Sequence, residues 1–187
     1  MIYPKKLNSK KSDLILKSCI LMSIFIAIVL TIINKVTTPK IPWAALANGG
    51  IVYMWITVIY AMNRNVNIAG HVLLQTIAIS LLTVYIDYNL TFKGWSINIA
   101  IPILIITSNV TMFVLTIVSH KKYIKYAIYQ LLIVIISLLP IIFMYENLIT
   151  NKILSITAIG ISILNLILTL ILCAKDMKEA VIRKFHI

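Results

Sequence analysis

The chain has 187 residues, of which 61% are apolar and only 12% are charged. So few charges cannot cover the surface of a water-soluble protein of this size, so the apolar excess must face lipid. The net charge of +12 would suggest nucleic-acid binding in a soluble domain. Once the apolar runs are set aside, no basic face remains for that purpose, and the charge is better interpreted as membrane topology.

The two cysteines, Cys19 and Cys173, both fall inside apolar runs. This excludes a disulfide framework and any zinc-ligand spacing, and we expect both thiols to pack as small apolar groups. No cofactor is predicted.

Six apolar runs predict an all-α integral membrane protein, a bundle of six transmembrane helices. Each supplies roughly the 20 residues needed to cross about 30 Å of hydrocarbon. The first follows a basic segment, residues 1–13, but it is too long for a signal sequence and no small-residue cleavage pattern follows it. The predicted spans are 14–33, 41–62, 68–85, 95–118, 126–145 and 153–174.

Lysine and arginine predict the orientation, because positive residues collect on the cytoplasmic side. If the spans alternate in direction, 13 of these residues lie on the side of the two termini and 4 on the other. Both termini, including the basic tail 175–187, are therefore predicted to be cytoplasmic in a cell membrane. The larger group is Lys5, Lys6, Lys10, Lys11, Lys17, Arg64, Lys121, Lys122, Lys125, Lys175, Lys178, Arg183 and Lys184; the smaller is Lys35, Lys40, Lys93 and Lys152.

Amphipathic side chains predict where the spans meet the headgroups. Trp43, Trp95 and Tyr145 mark the outer interface, because such rings prefer headgroup depth. At the inner interface, Arg183 and Lys184 lie in a tail amphipathic enough to rest on an anionic leaflet.

The fourth predicted span is the most patterned. Pro102 removes a backbone donor and displaces the carbonyl of Asn98, four residues earlier. Asn98, Pro102, Ile105 and Asn109 share one face, since eleven residues make close to three turns. Two interpretations stay open: a small polar pocket in the outer half of the membrane, or a kink and an amide that bond to neighbouring helices.

The third span ends in the acid that we would name first as functional, Asp87. Thr76, Ser80 and Thr83 share its face, and the short following loop should bring Asp87 close to Trp95 and Asn98. It could bind a cation or a proton, or it could be a solvated carboxylate at a helix end. Glu146, at the outer end of the fifth span, is the other candidate acid.

Two other spans carry small or polar residues. In the second, Asn48, Gly49 and Gly50 favour a close helix crossing over a broken helix. The sixth predicts a packing face at helical spacing, formed by Ser155, Ala158, Ser162, Asn165, Thr169 and Cys173.

No sequence motif for catalysis is present, and no metal site is predicted. We therefore expect a non-catalytic protein that binds a partner subunit or protects against a membrane-active peptide. Two alternatives remain: a small transporter or permeation subunit that uses Asp87 and Asn98, and a membrane enzyme that uses Asp87 or Glu146 as acid or base.

The runs GWSINIAIP (residues 94–102) and IRKFHI (residues 182–187) resemble a bacterial family of small multi-span membrane proteins of unknown function. The resemblance extends from about Trp43 to the C-terminus. It implies a helical membrane fold and supplies no activity. Longer members carry a cysteine-rich, zinc-ribbon-like segment before the spans, and this sequence has no such cysteine pairs.

Overall fold

A computed structural model describes residues 9–62, 67–118, 123–150 and 152–185, with side chains described in 14–62, 67–118, 129–150 and 152–171. In these ranges the regular structure is entirely helical, which confirms the predicted all-α class. The helices are α1 (Ser9–Thr37), α2 (Trp43–Met62), α3 (Ile68–Asn89), α4 (Ile101–Val118, after a π-helical turn at Ser96–Ala100), α5 (Tyr123–Ile136), α6 (Leu139–Tyr145) and α7 (Lys152–Phe185).

Five segments of the described chain are long and apolar enough to cross a membrane. They correspond to five of the six predicted spans, and α2 runs unbroken through Asn48, Gly49 and Gly50. The five segments are Leu14–Thr37, Trp43–Met62, Ile68–Asn89, Ser96–Val118 and Lys152–Ile171.

The fifth predicted span is divided into α5 and α6. Pro140 is buried at the start of α6, and a proline inside a helix removes a donor and displaces the carbonyl four residues before it. Just before it, the Leu138 N–H donates to the carbonyl of Ile135, three residues earlier, at 3.1 Å, and the carbonyl of Val134 accepts from the Ser137 hydroxyl at 2.5 Å instead. The break is therefore a proline interruption that a neighbouring hydroxyl partly repairs.

Two helices extend well beyond their predicted spans. Helix α1 begins at Ser9, within the predicted basic segment, and α7 continues to Phe185, through most of the predicted tail. Hydropathy marks only the part of a helix that suits lipid, whereas lysine, glutamate and methionine continue a helix once it is formed. His186 and Ile187 lie outside the described residues.

The chain divides into two units, with the boundary inside α2 between Met54 and Trp55. In the first unit, Asn34 closes the α1–α2 hairpin. Its amide donates to the carbonyls of Thr38 and Ile41, each at 2.8 Å, and its Oδ1 accepts from the Ala44 N–H at 3.1 Å. Cys19 is exposed on α1, so its predicted packing role is wrong.

In the second unit, α4 packs against α3, α5 and α7. Two apolar clusters hold it. The first contains Ile97, Ile101, Ile105, Ile149 and Ala158, and the second contains Ala69, Met112 and Ile133. Because α4 or the turn before it contributes to both clusters, it is the helix that positions the polar residues of this unit.

Candidate functional site

The connection from α3 to α4 is a tight turn. Thr91 and Gly94 have positive φ angles of 68° and 74°, a conformation that glycine adopts easily and threonine rarely. This turn brings the chain back so that the π-helical turn at Ser96–Ala100 begins beside the last turn of α3.

Asp87 lies at that junction, and its side chain is completely buried. Its Oδ2 accepts hydrogen bonds from the Ser96 N–H at 3.1 Å and the Ser96 hydroxyl at 2.8 Å. Its Oδ1 accepts from the Lys93 N–H at 3.0 Å. Both carboxylate oxygens are therefore occupied by groups at the start of the fourth span.

This arrangement is a helix cap supplied by the preceding helix. The first N–H groups of a helix have no partner inside it, and a carboxylate near them is stabilised by hydrogen bonding and by the helix dipole. The sequence predicted that Asp87 would lie close to Trp95, but it did not identify Ser96 as the hydrogen-bond partner of Asp87. The preference for serine at helix starts does not identify it, because that preference concerns an N-cap oxygen that accepts, whereas Ser96 follows the N-cap Trp95 and donates its hydroxyl.

The hydrogen bonds of the Asn98 side chain join it to Gly94 and Thr150. Its amide nitrogen donates to the carbonyl of Gly94 at 2.7 Å. Its Oδ1 accepts from both the N–H of Thr150, at 2.8 Å, and the Thr150 hydroxyl, at 3.0 Å. Asn98 thus joins the start of the fourth span to the loop between α6 and α7, a partner 52 residues away that the sequence did not reveal.

The π-helical turn places an irregular backbone directly before Pro102. The Ile101 N–H donates to the carbonyl of Ser96, five residues earlier, instead of four. Turns of this kind are rare in helices overall, and many of those known lie at functional sites. A proline in the next turn is also enough to distort the helix in this way. Pro102, Ile105 and Asn109 are all buried, which confirms that this face of α4 points inward.

Asn109 forms the second polar centre. Its amide donates to the Ser162 hydroxyl at 2.7 Å and to the carbonyl of Ile105 at 2.9 Å. In return, the amide of Asn165 donates to the Asn109 carbonyl at 2.9 Å and to its Oδ1 at 3.2 Å. Asn109 therefore binds α4 to α7, as an intramembrane asparagine commonly does.

The polar contacts continue along α7. The Thr169 hydroxyl donates to the carbonyl of Asn165 at 2.6 Å, and Gln130 of α5 donates to that hydroxyl at 3.0 Å. We call Asn109, Gln130, Ser162, Asn165 and Thr169 the amide ladder. The face of α7 predicted from spacing is buried at Ser155, Ala158, Ser162, Asn165 and Thr169, which confirms it there; the side chain of Cys173 lies outside the described residues.

Three buried side-chain atoms described in the second unit have no hydrogen-bond partner: Trp55 Nε1, Gln130 Oε1 and Ser155 Oγ. An unpaired buried acceptor or hydroxyl costs about 1–3 kcal/mol. At each of these atoms a small polar guest such as water would find an open bond.

The remaining candidates lie apart from these centres. Glu146 is exposed at the end of α6, where its N–H donates to the carbonyl of Ile142 at 3.0 Å. Tyr145 is 83% exposed, Trp95 is half-buried at the start of the π-helical turn, and the Trp43 indole donates to the Thr38 hydroxyl at 2.7 Å. Arg183 and Lys184 belong to α7, but their side chains lie outside the described part.

The described residues contain no group of three or more histidine, cysteine, aspartate or glutamate side chains that could hold a metal ion. Asp87 and Glu146 differ sharply in environment, one buried and fully bonded and the other exposed. Chemically, the arrangement around Asp87 and Asn98 orders backbone, and the amide ladder joins three helices.

Replacing Asp87 tests its role as a cap. In Asp87→Asn one oxygen becomes an amide group that cannot accept from Ser96 or Lys93, so the free energy of unfolding should fall by about 1–3 kcal/mol. Glu146→Gln makes the same chemical change at an exposed position and should alter it by less than about 0.5 kcal/mol. Unfolding of the detergent-solubilised chain by titration with a denaturing detergent measures both. Equal stabilities for the two variants would contradict the cap.

The comparisons with known proteins give one match. No curated protein and no solved structure matches the chain. The family model described as "Family of unknown function (DUF6320)" matches residues 3–187. The match includes α1, which lies before the part covered by the resemblance seen in the sequence. The chain therefore belongs to this family of unknown function.

Proposed function

We propose that this protein is a multi-pass protein of the cell membrane, with both termini in the cytoplasm, that acts by binding and not by catalysis. Its partner is another membrane protein or a membrane-active peptide. Five membrane-length apolar helices and the bias of lysine and arginine towards one side support this topology.

The observation that carries the proposal is the bonding of Asp87. It is the buried carboxylate among the described candidates, and its two oxygens accept three hydrogen bonds from Lys93 and Ser96. A carboxylate held this way positions backbone and is poorly placed to take a proton from a substrate. Asp87, Asn98 and Asn109 are thus engaged in holding helices, whereas Glu146 is exposed at the end of α6.

The short loops between the helices also favour binding of the partner within the membrane. The described loop segments between helices are short, such as 38–42 between α1 and α2 and 146–150 between α6 and α7. They offer little surface for a soluble partner, whereas large apolar side chains are exposed along α1, α4 and α7. Helices associate in lipid through such side-chain packing and through small or polar residues.

Site-specific photo-crosslinking tests the binding proposal. A photoreactive phenylalanine analogue replaces one exposed residue at a time: Phe25 on α1, Val114 on α4 or Leu164 on α7. Illumination of intact cells should give one discrete protein adduct of constant mass, at one of these positions and not at the others, because a specific partner covers one face. Adducts with lipid alone at all three positions would contradict partner binding.

A second function, permeation of a small cation, is favoured by the irregular backbone at Ser96–Ala100. Non-helical backbone at membrane depth survives where it is buried in protein or lines a water-filled cavity. The Asn98 amide would then offer its oxygen to the cation, and Thr150, now its partner, would be displaced.

Flux into reconstituted vesicles tests permeation. Vesicles that enclose a sodium- or proton-sensitive dye should show uptake above protein-free vesicles with the wild-type chain. We expect Asn98→Ala to lower this uptake about tenfold and Thr150→Val to preserve it, since the valine variant keeps the amide. Wild-type uptake equal to that of empty vesicles would exclude this function for both ions.

A further inference from the structure

A cleft runs between α3 and α4 in the second unit, away from both polar centres. Its volume is about 240 Å³. It is lined by five residues of α3, within 71–79, and four of α4, within 104–111, so it extends for roughly 12 Å along their axes. The lining residues are His71, Val72, Gln75, Thr76, Ile79, Leu104, Thr107, Ser108 and Thr111.

The walls of this cleft present mainly carbon, although several lining residues have hydroxyl groups. Each hydroxyl donates its hydrogen to a carbonyl of its own helix: Thr76 to Val72, Thr107 to Ile103, Ser108 to Ile105 and Thr111 to Thr107, at 2.8–2.9 Å. The donors are therefore used internally. The carbon atoms that face the cleft are therefore suited to an apolar ligand.

The cleft also opens outward. Thr107 is exposed in its wall, and the adjoining side chains Ile77, Ile103 and Val110 are exposed apolar groups of the kind that face lipid. Small-molecule sites usually enclose about 300–1,000 Å³ and bury most of their ligand. A shallow, elongated cleft of about 240 Å³ fits part of a long molecule better than a whole compact one.

One end of the cleft is polar. His71 lies one turn into α3, and its ring stacks on that of Tyr60 with the centroids 5.7 Å apart. In the sequence, Arg64 stands four residues before α3, and Lys121 and Lys122 stand three and four residues after α4. Basic residues at the membrane-proximal ends of helices attract anionic headgroups.

We propose that the cleft binds one acyl chain of an anionic phospholipid, whose headgroup lies at the end marked by His71. The carbon walls accept the chain, the opening admits it from the bilayer, and the basic residues that flank α3 and α4 in the sequence favour a negative headgroup over a zwitterionic one. This lipid site is independent of the protein partner and of the permeation path proposed above.

Native mass spectrometry of the full-length chain tests the site with two probes of identical acyl chains, phosphatidylglycerol and phosphatidylcholine. We expect one retained phosphatidylglycerol with at least tenfold preference over phosphatidylcholine. Leu104→Trp fills the cleft and should lower phosphatidylglycerol retention about tenfold. Leu170→Trp makes the same change at an exposed position of α7 that does not line the cleft, and should leave retention unchanged.

A second measurement uses the wild-type chain and so does not depend on the folding of a variant. Phosphatidylglycerol with a photoreactive acyl chain should label Val72, Ile79 and Leu104 more than Val114 and Ile117, and unlabelled phosphatidylglycerol should compete better than phosphatidylcholine. Equal retention of the two lipids, labelling spread evenly over exposed residues, or a dimer of the chain that Leu104→Trp abolishes would each overturn the proposal.

Discussion

The carboxylate of Asp87 is the interaction on which the rest of the second unit depends. It lies in the last turn of α3 and holds the start of the fourth span there, because its oxygens accept from Lys93 and from both donors of Ser96. In lipid, backbone N–H groups that do not find a partner within the protein cost several kcal/mol each. Asp87 meets this requirement at a helix start where a proline and a π-helical turn already disturb the regular bonding.

Two further residues of the fourth span, Asn98 and Asn109, also fix its position by hydrogen bonds to the α6–α7 loop and to α7. Near its start, Asn98 reaches Thr150 and so ties the fourth span to the loop before α7. Deeper in the bundle, Asn109 bonds to Ser162 and Asn165 of α7. Hydrogen bonds of this kind contribute about 0.6 kcal/mol each on average, so the register of the two helices depends on their sum and not on one bond.

The buried faces of the helices could be predicted from the sequence, because they depend only on the spacing of residues along each helix. The buried face of α7 and the inward face of α4 follow from residues at spacings of three and four, since such residues must share a side of a helix. The order of the spans followed from hydropathy. The extra turns of α1 and α7 could not be predicted in this way, because hydropathy identifies only the apolar part of a helix and not its polar continuation.

The partners of the polar groups were harder to predict, because they depend on turns and on distant segments. Asp87 and Asn98 were expected to face one another, yet Asp87 turns to Ser96 and Asn98 to Thr150. The positive φ at Thr91 and Gly94 decides the first choice, and a loop 52 residues away decides the second. The cleft between α3 and α4 likewise depends on how two helices approach, which no spacing within either helix records.

The most direct measurement of the central claim is amide hydrogen exchange at Ser96 and Lys93, followed residue by residue in a lipid bilayer. If the Asp87 carboxylate caps the fourth span, both amides will be protected in the wild-type chain and will exchange at least tenfold faster in Asp87→Asn, while Glu146→Gln leaves them protected. Rapid exchange of both amides in the wild-type chain, or equal protection in Asp87→Asn, would contradict the account.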